Sequence, residues 1–173
     1  TSQTLQNYIR NNKDGWTIHN ENAIRPYEGT GYVVAPTKLS EIIVSGKDDV
    51  PVDVLLQYIE DNKNLSESVD SEVYLGGWLN QDDQMLYLDN TIILPTLEEA
   101  LYYADAADQI AIFDLSTFEG IDTKNGIAEL EQSGAYSSEQ ALRYNENARV
   151  IDSKFAEARD NYRRVSGLSR AKP

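Results

Sequence analysis

The chain has 173 residues and no cysteine, which excludes disulfides, thiol nucleophiles, iron–sulfur clusters and zinc sites built on sulfur. Its formal net charge of −14 opposes nonspecific binding to nucleic acid or to an anionic membrane. No apolar run approaches the roughly 20 residues that a membrane-spanning helix needs. We therefore expect one globular domain with an appendage, or at most two small lobes, made in a cytoplasm.

The first part of the sequence predicts a short helix followed by strands. The N-terminal segment SQTLQNYIRNN has helical spacing of its apolar residues, and GWTIHN after it has strand character. Residues 20–31 are predicted to be a loop because they hold proline and two glycines. Two further strands are predicted for GYVVAP and SEIIVSG.

The middle of the sequence predicts a helix and then a hairpin. Pro51 is typical of the first turn of a helix, and VDVLLQYIEDN continues it with apolar residues at helical spacing. The polar segment KNLSESVDS is predicted to be a loop. EVYLGGWLN and MLYLDNTIIL then flank a short turn and predict a β-hairpin, in which paired glycines indicate a bulge or a close approach.

A second helix and a last strand follow the hairpin. Thr96 is a predicted N-cap with Glu99 in the capping-box position three residues later. QIAIFDL is predicted to be a short buried strand, and STFEGIDTKNG to be a loop.

From Ser137 onward the sequence predicts a long helix. Ser137 or Ser138 is the expected N-cap, and Gly167 the expected end. Apolar residues recur every three or four positions, at Ala141, Tyr144, Ala148, Ile151, Phe155, Ala158, Tyr162 and Val165. This seven-residue repeat is typical of a helix with one packing stripe.

Charge and pattern together predict two regions. Residues 151–173 hold six basic and three acidic residues, a net of +3, which leaves −17 on residues 1–150. We predict an α+β fold with a small mixed sheet of about five or six short strands, two or three packed helices and a long C-terminal helix. The predicted division is an acidic α+β body over residues 1–132 and a helical arm with a short basic tail over residues 133–173.

Candidate catalytic and metal-binding residues are sparse. His19 is the single histidine, and a strand-end or surface role is preferred for it over catalysis. Acidic residues that frame the turns could hold Mg²⁺ or Ca²⁺, namely Asp82, Asp83, Asp89, Asp105, Asp108 and Asp114. The chain has 29 acidic residues, so such pairs arise by composition alone. We predict no catalytic residue, no metal site and no cofactor, with metal-dependent activity as the minor alternative.

Several segments from Gly31 to Asp114, GYVVAP, YLGGWLN, LYLDNTIIL and LEEALYYADAADQIAIFDL, resemble a small domain of hypothetical proteins from bacteriophages and related mobile elements. Those proteins share a pattern close to GYMVS…YLGxW…VYLDVS…EEAxxLAxxxxQxAIxD. The resemblance implies a phage or mobile-element origin and a compact α/β fold. It implies no activity and no catalytic residues.

These observations predict a non-enzymatic structural or assembly protein of a phage virion that binds another subunit, or a second copy of itself, through the C-terminal helix. Because three of the eight residues of that stripe are alanine, it buries too little area to form a strong coiled coil alone and needs a larger surface to lie on. The predicted partner-binding residues are Tyr144, Ile151, Phe155, Tyr162, Arg163, Arg164 and Arg170.

Other interpretations of the basic tail, of the helix and of the function stay open. The basic tail suits an acidic protein surface or packaged DNA. The helix could also be the last element of the chain's own core. The alternative function is an acidic effector in the host cytoplasm, such as a DNA mimic that inhibits a defence protein.

Overall fold

A computed structural model describes residues 2–165, although not the side chain of Val165, and its architecture is α+β as predicted. The helices are α1 Ser2–Asn11, α2 Val52–Ser66, α3 Leu97–Ala106, α4 Thr123–Gln132 and α5 Ser138–Val165. The strands are β1 Trp16–His19, β2 Arg25–Pro26, β3 Tyr32–Val34, β4 Ile42–Ser45, β5 Tyr74–Asn80, β6 Met85–Leu94, β7 Ala111–Asp114 and β8 Glu119–Asp122. Strands and helices are therefore more numerous than predicted, and the strand pairs described below are antiparallel. Within this described part, every helix is too short or too polar to cross a membrane.

The described residues form two compact units that interleave along the chain. The first unit comprises residues 2–27, 39–90 and 152–165, and the second comprises residues 28–38 and 91–151. Strand β6 and helix α5 each contribute residues to both units. The predicted division after residue 132 concerns independent folding, and it stays a prediction.

The first unit packs α1 and α2 on an antiparallel sheet. Strands β2, β1, β5 and β6 are neighbours in that order, and β4 pairs with the first half of β6. The core consists of apolar residues from these elements: Leu5, Ile9, Trp16, Ile18, Val50, Leu55, Tyr58, Leu75, Leu86 and Leu88. The predicted close approach is confirmed at Gly77, because a Cβ there would lie 2.0 Å from the Trp16 ring.

The loop predicted for KNLSESVDS is wrong in its first four residues and correct in the rest. Helix α2 continues to Ser66, through the first part of the segment KNLSESVDS. Its last turns bury Asn62, Asn64 and Leu65. Asn64 belongs to the segment predicted to be a loop, so a polar residue that suggests a loop in the sequence here lies on a buried helix face.

The second unit is built on the end of β6, then β3, β7 and β8, all antiparallel. Helices α3 and α4 pack beside these strands, around Val34, Ala100, Leu101, Ala104 and Ile112. The predicted N-cap of α3 is confirmed, because the Thr96 hydroxyl accepts the Glu99 backbone N–H at 3.2 Å.

Two predictions for the second unit are wrong. Strand β7 is not fully buried, since only Ile112 is buried and Ala111 and Phe113 are exposed. The segment STFEGIDTKNG is not a loop, because β8 and the start of α4 occupy most of it. The α4 N-cap is Asp122, whose side chain accepts the Asn125 backbone N–H at 2.9 Å.

Candidate functional site

The hairpin of β7 and β8 in the second unit contains a bulky residue with a positive φ angle. The loop from Leu115 to Phe118 joins the two strands, and the Phe118 N–H donates to the Asp114 carbonyl at 2.8 Å. The Asp114 side chain also accepts the Ser116 N–H at 2.8 Å, which tightens the start of the loop.

Phe118 occupies the left-handed backbone region, with φ 57°. This region places Cβ close to the following carbonyl oxygen and costs about 1–2 kcal/mol for an L-residue, and bulky residues rarely adopt it. The Phe118 side chain is 75% exposed, so burial in its own chain offsets little of this cost. The residue type is therefore not explained by the stability of the hairpin.

A second hairpin of the chain has the same loop geometry with a polar residue in place of phenylalanine. The hairpin of β5 and β6 in the first unit also has a four-residue loop, from Gln81 to Gln84. Gln84 takes the same position with the same φ of 57°, and its N–H donates to the Asn80 carbonyl at 2.8 Å. A polar residue is therefore compatible with this loop position. The geometry of the loop does not require the exposed aromatic ring of Phe118.

Phe113 and Phe118 form the exposed apolar part of this hairpin, which we call the aromatic hairpin face. Their ring centroids lie 6.5 Å apart at an interplanar angle of 61°. Phe113 is 36% exposed and lies opposite Gly120, which has no side chain to cover it. Rings exposed in this way are typical of surfaces that bind other proteins.

A second candidate lies in the first unit, where Asn62 joins three segments. Its side-chain amide donates to the Val73 carbonyl at 3.1 Å and to the Asn90 carboxamide oxygen at 2.9 Å. Its own oxygen accepts from the Asn20 side chain at 2.9 Å. Every hydrogen-bonding group of this buried side chain is used within the chain, so its role is structural.

We expect Asn62→Ala to lower the free energy of unfolding by about 2 kcal/mol, because it leaves buried partners unsatisfied. Urea unfolding measures the change. Asn7→Ala on the exposed face of α1 is the matched control and should change the value by less than about 0.5 kcal/mol. Equal effects of the two variants would contradict the structural role of Asn62.

His19 lies beside a shallow depression in the first unit. Its Nδ1 atom is 2.7 Å from a Glu72 carboxylate oxygen, and its ring contacts Tyr27 and Tyr74. The depression has a volume of about 480 Å³, and its lining consists of Asn20, Glu21, Asn62, Lys63, Ser66, Ser71, Glu72 and Val73. The histidine is held by its neighbours at the end of β1.

The acidic residues named in the sequence lie apart in local roles. Asp83 accepts from the Tyr87 hydroxyl at 2.9 Å, and Asp108 forms an ion pair with Lys38 at 3.3 Å. Across residues 2–165, no group of three or more potential ligands is placed to hold a metal ion.

Asp89 differs from the other acids because part of its carboxyl is buried. Its Oδ1 atom has no hydrogen-bond partner within the described structure, although the residue as a whole is only partly buried. Burial, together with the nearby Glu41 carboxylate, raises the pKa of Asp89 from 3.8 to about 7. The group therefore changes charge near neutral pH.

The second half of α5 is held within the first unit. Phe155 is fully buried, and the Arg159 guanidinium lies 4.5 Å from the centre of its ring. Arg159 also approaches the buried Asp61 carboxylate at 3.4 Å and donates to the Leu39 carbonyl. Burial raises the pKa of Asp61, while Arg159 and Gln57 act in the opposite direction.

The first half of α5 packs within the second unit. The Tyr144 ring stacks on Tyr102 at 5.6 Å and meets Tyr103 edge-on at 5.8 Å. The Ser137 side chain caps the helix by accepting the Gln140 N–H at 3.2 Å, which confirms one of the two predicted N-caps. The tyrosines of this helix therefore contact their own chain.

The structure distributes the predicted partner-binding residues unevenly. Ile151 and Phe155 are buried, Tyr144 is partly buried, and Tyr162 and Arg164 are exposed. Arg163 is partly buried, and Arg170 lies outside the described residues. The helix is thus also an element of the chain's own core, and partner binding by its stripe stays a prediction.

Sequence reasoning missed Phe118 and Asn62. Phe118 gives no turn signal, because its left-handed backbone is a property of the folded loop. Asn62 is one of many asparagines, and only the tertiary fold brings Asn20, Val73 and Asn90 to it.

No family model, curated protein or solved structure matches this chain.

Proposed function

We propose that this protein is a non-enzymatic interaction protein that assembles with another protein in a bacteriophage particle. The observation that carries the proposal is Phe118, an exposed aromatic side chain in an unfavourable backbone conformation. A residue that costs stability in its own chain is expected to contribute in a complex, where burial of an aromatic ring is worth several kcal/mol. The assignment to a phage particle rests on the sequence resemblance.

The exposed end of α5 supports the same proposal. Tyr162 and Arg164 are exposed there, and the end of the helix is basic whereas the rest of the chain is strongly acidic. Tyrosine and arginine are the residue types enriched at binding hot spots. In this proposal, the aromatic hairpin face provides the main contact, and the end of α5 is a separate candidate surface.

Phe118→Gly is the variant that tests the proposal. Glycine adopts the left-handed region freely, so the free energy of unfolding should stay unchanged or rise by up to about 1 kcal/mol. Loss of the ring should reduce incorporation into particles at least about tenfold. Urea unfolding and quantitative mass spectrometry of particles purified from the source measure the two effects.

Gln84→Gly is the matched control, because it makes the same backbone change at the same loop position without removing an aromatic ring. It should leave incorporation unchanged. Absence of the parent protein from the particles, or normal incorporation of Phe118→Gly, would overturn the proposal.

A further inference from the structure

Strand β8 has one edge without a partner strand among residues 2–165. The Thr123 N–H donates to the Ile110 carbonyl at 3.0 Å, and the ladder pairs Ala111 with Asp122. Because bonding alternates along an antiparallel pair, the N–H and C=O of Gly120 and the N–H of Asp122 point away from β7. The Asp122 carbonyl is used differently, because Asp122 is the N-cap of α4 and its carbonyl accepts the first hydrogen bond of that helix. This edge therefore presents the donors and acceptors that a further strand requires.

The opposite end of the strand order lacks these features. Strand β2 has only two residues, Arg25 and Pro26, and proline has no N–H to donate. Short strands and proline are common ways to protect a sheet edge. Strand β8 has four residues and no proline, and Gly120 and Asp122 in it are exposed.

The charge around β8 selects the occupant. Acidic residues in and next to the hairpin are Asp105, Asp108, Asp114, Glu119, Asp122, Glu129 and Glu131, and Lys124 is the one basic residue between positions 104 and 132. A second copy pairing through β8 would place carboxylates against carboxylates, which is unfavourable. A strand with lysine or arginine has the opposite charge and meets no such repulsion.

The aromatic hairpin face lies beside this edge. Phe113 lies opposite Gly120 in the β7–β8 ladder. A strand added next to Gly120 would therefore be separated from the Phe113 ring only by β8, which has no side chain at position 120. In strand addition, the backbone bonds give affinity and surfaces such as this one select the side chains.

We infer that β8 binds a basic, extended segment of a partner protein by strand addition, with the apolar side chains of that segment against Phe113 and Phe118. The inference rests on the proposed interaction function and adds to it the binding mode and the chemistry of the partner. The segment pairs with the N–H and C=O of Gly120 and with the N–H of Asp122.

The probe is a blocked octapeptide of alternating lysine and valine, titrated into the isotope-labelled full chain and followed by NMR. The amides of Gly120 and Asp122 should shift and become protected from hydrogen exchange, whereas those of Glu119 and Ile121 are already bonded to β7. An octapeptide of alternating glutamate and valine should bind at least about tenfold more weakly.

Gly120→Pro removes one outward N–H and should weaken binding of the lysine peptide at least about tenfold. Gly120→Ala keeps the N–H and should bind like the parent, because a Cβ there meets no atom closer than 4.0 Å. Should Gly120→Pro fail to fold, a lysine peptide N-methylated at alternate residues makes the same test with the parent chain.

Three results would overturn the inference: no binding of the lysine peptide, equal binding by Gly120→Pro, or a dimer of the parent chain that Gly120→Pro dissociates. Particle incorporation separates the two proposals. Normal incorporation of Gly120→Pro with loss for Phe118→Gly would leave an interaction through the rings without strand addition. Normal incorporation of Phe118→Gly would reject the interaction function itself.

Discussion

Replacing Phe155 with alanine should lower the free energy of unfolding by about 3–5 kcal/mol. Phe155 is fully buried, and its ring also carries the Arg159 guanidinium at 4.5 Å. The variant therefore loses the burial of the ring, leaves a cavity and removes the surface on which Arg159 lies. Urea unfolding followed by far-ultraviolet circular dichroism measures the effect.

Leu142→Ala is the control on the same helix, because Leu142 is exposed. It should change the free energy of unfolding by less than about 0.5 kcal/mol. For the same reason, deletion of residues 137–173 should unfold the first unit, since it removes Phe155. A Phe155→Ala variant as stable as the parent, together with a folded deletion variant, would instead make α5 an arm available to a partner.

Asp89→Asn should stabilise the protein by about 2–4 kcal/mol at pH 8 and by little at pH 4. Burial and Glu41 raise the pKa of Asp89 to about 7 in the folded state, whereas the unfolded value is near 3.8. Between these two values the folded state holds a proton that the unfolded state has released, so this group lowers stability as pH rises. Above pH 7 the carboxylate is buried and charged, and the full cost remains.

Asparagine has the shape of the protonated acid and does not ionise, so the variant should lack this pH dependence. Unfolding of parent and variant in urea at several values from pH 4 to pH 8 gives the difference in free energy. Asp82→Asn, in an exposed turn, is the control and should change the free energy of unfolding by less than about 0.5 kcal/mol. A flat difference for Asp89→Asn would show that the carboxyl is ionised throughout this range.

The candidate site could be predicted only in part from the sequence. The acidity of the segment around β8 is visible in the composition, and a strand in QIAIFDL is confirmed as β7. Strand β8 was missed because a turn that ends in phenylalanine lacks glycine, asparagine or proline as a signal. The free edge, and the open position opposite Phe113, depend on a register that forms only when the strands pair.

Elements with local signals could be predicted from the sequence alone. Apolar periodicity gave α1, α2, α3 and α5, and capping residues placed the starts of α3 and α5. These patterns act through hydrogen bonds and side-chain spacing within a few residues of one another, so they can be read without knowledge of the fold.

Which side chains are buried within the chain depends on the tertiary structure. The stripe of α5 looked available to a partner, yet Ile151 and Phe155 are buried in their own chain. Phe118 looked like an ordinary loop residue, yet its ring is exposed. Burial depends on segments that are far apart in the sequence. An apolar stripe on one helix indicates that its residues pack against another surface, but not which surface that is.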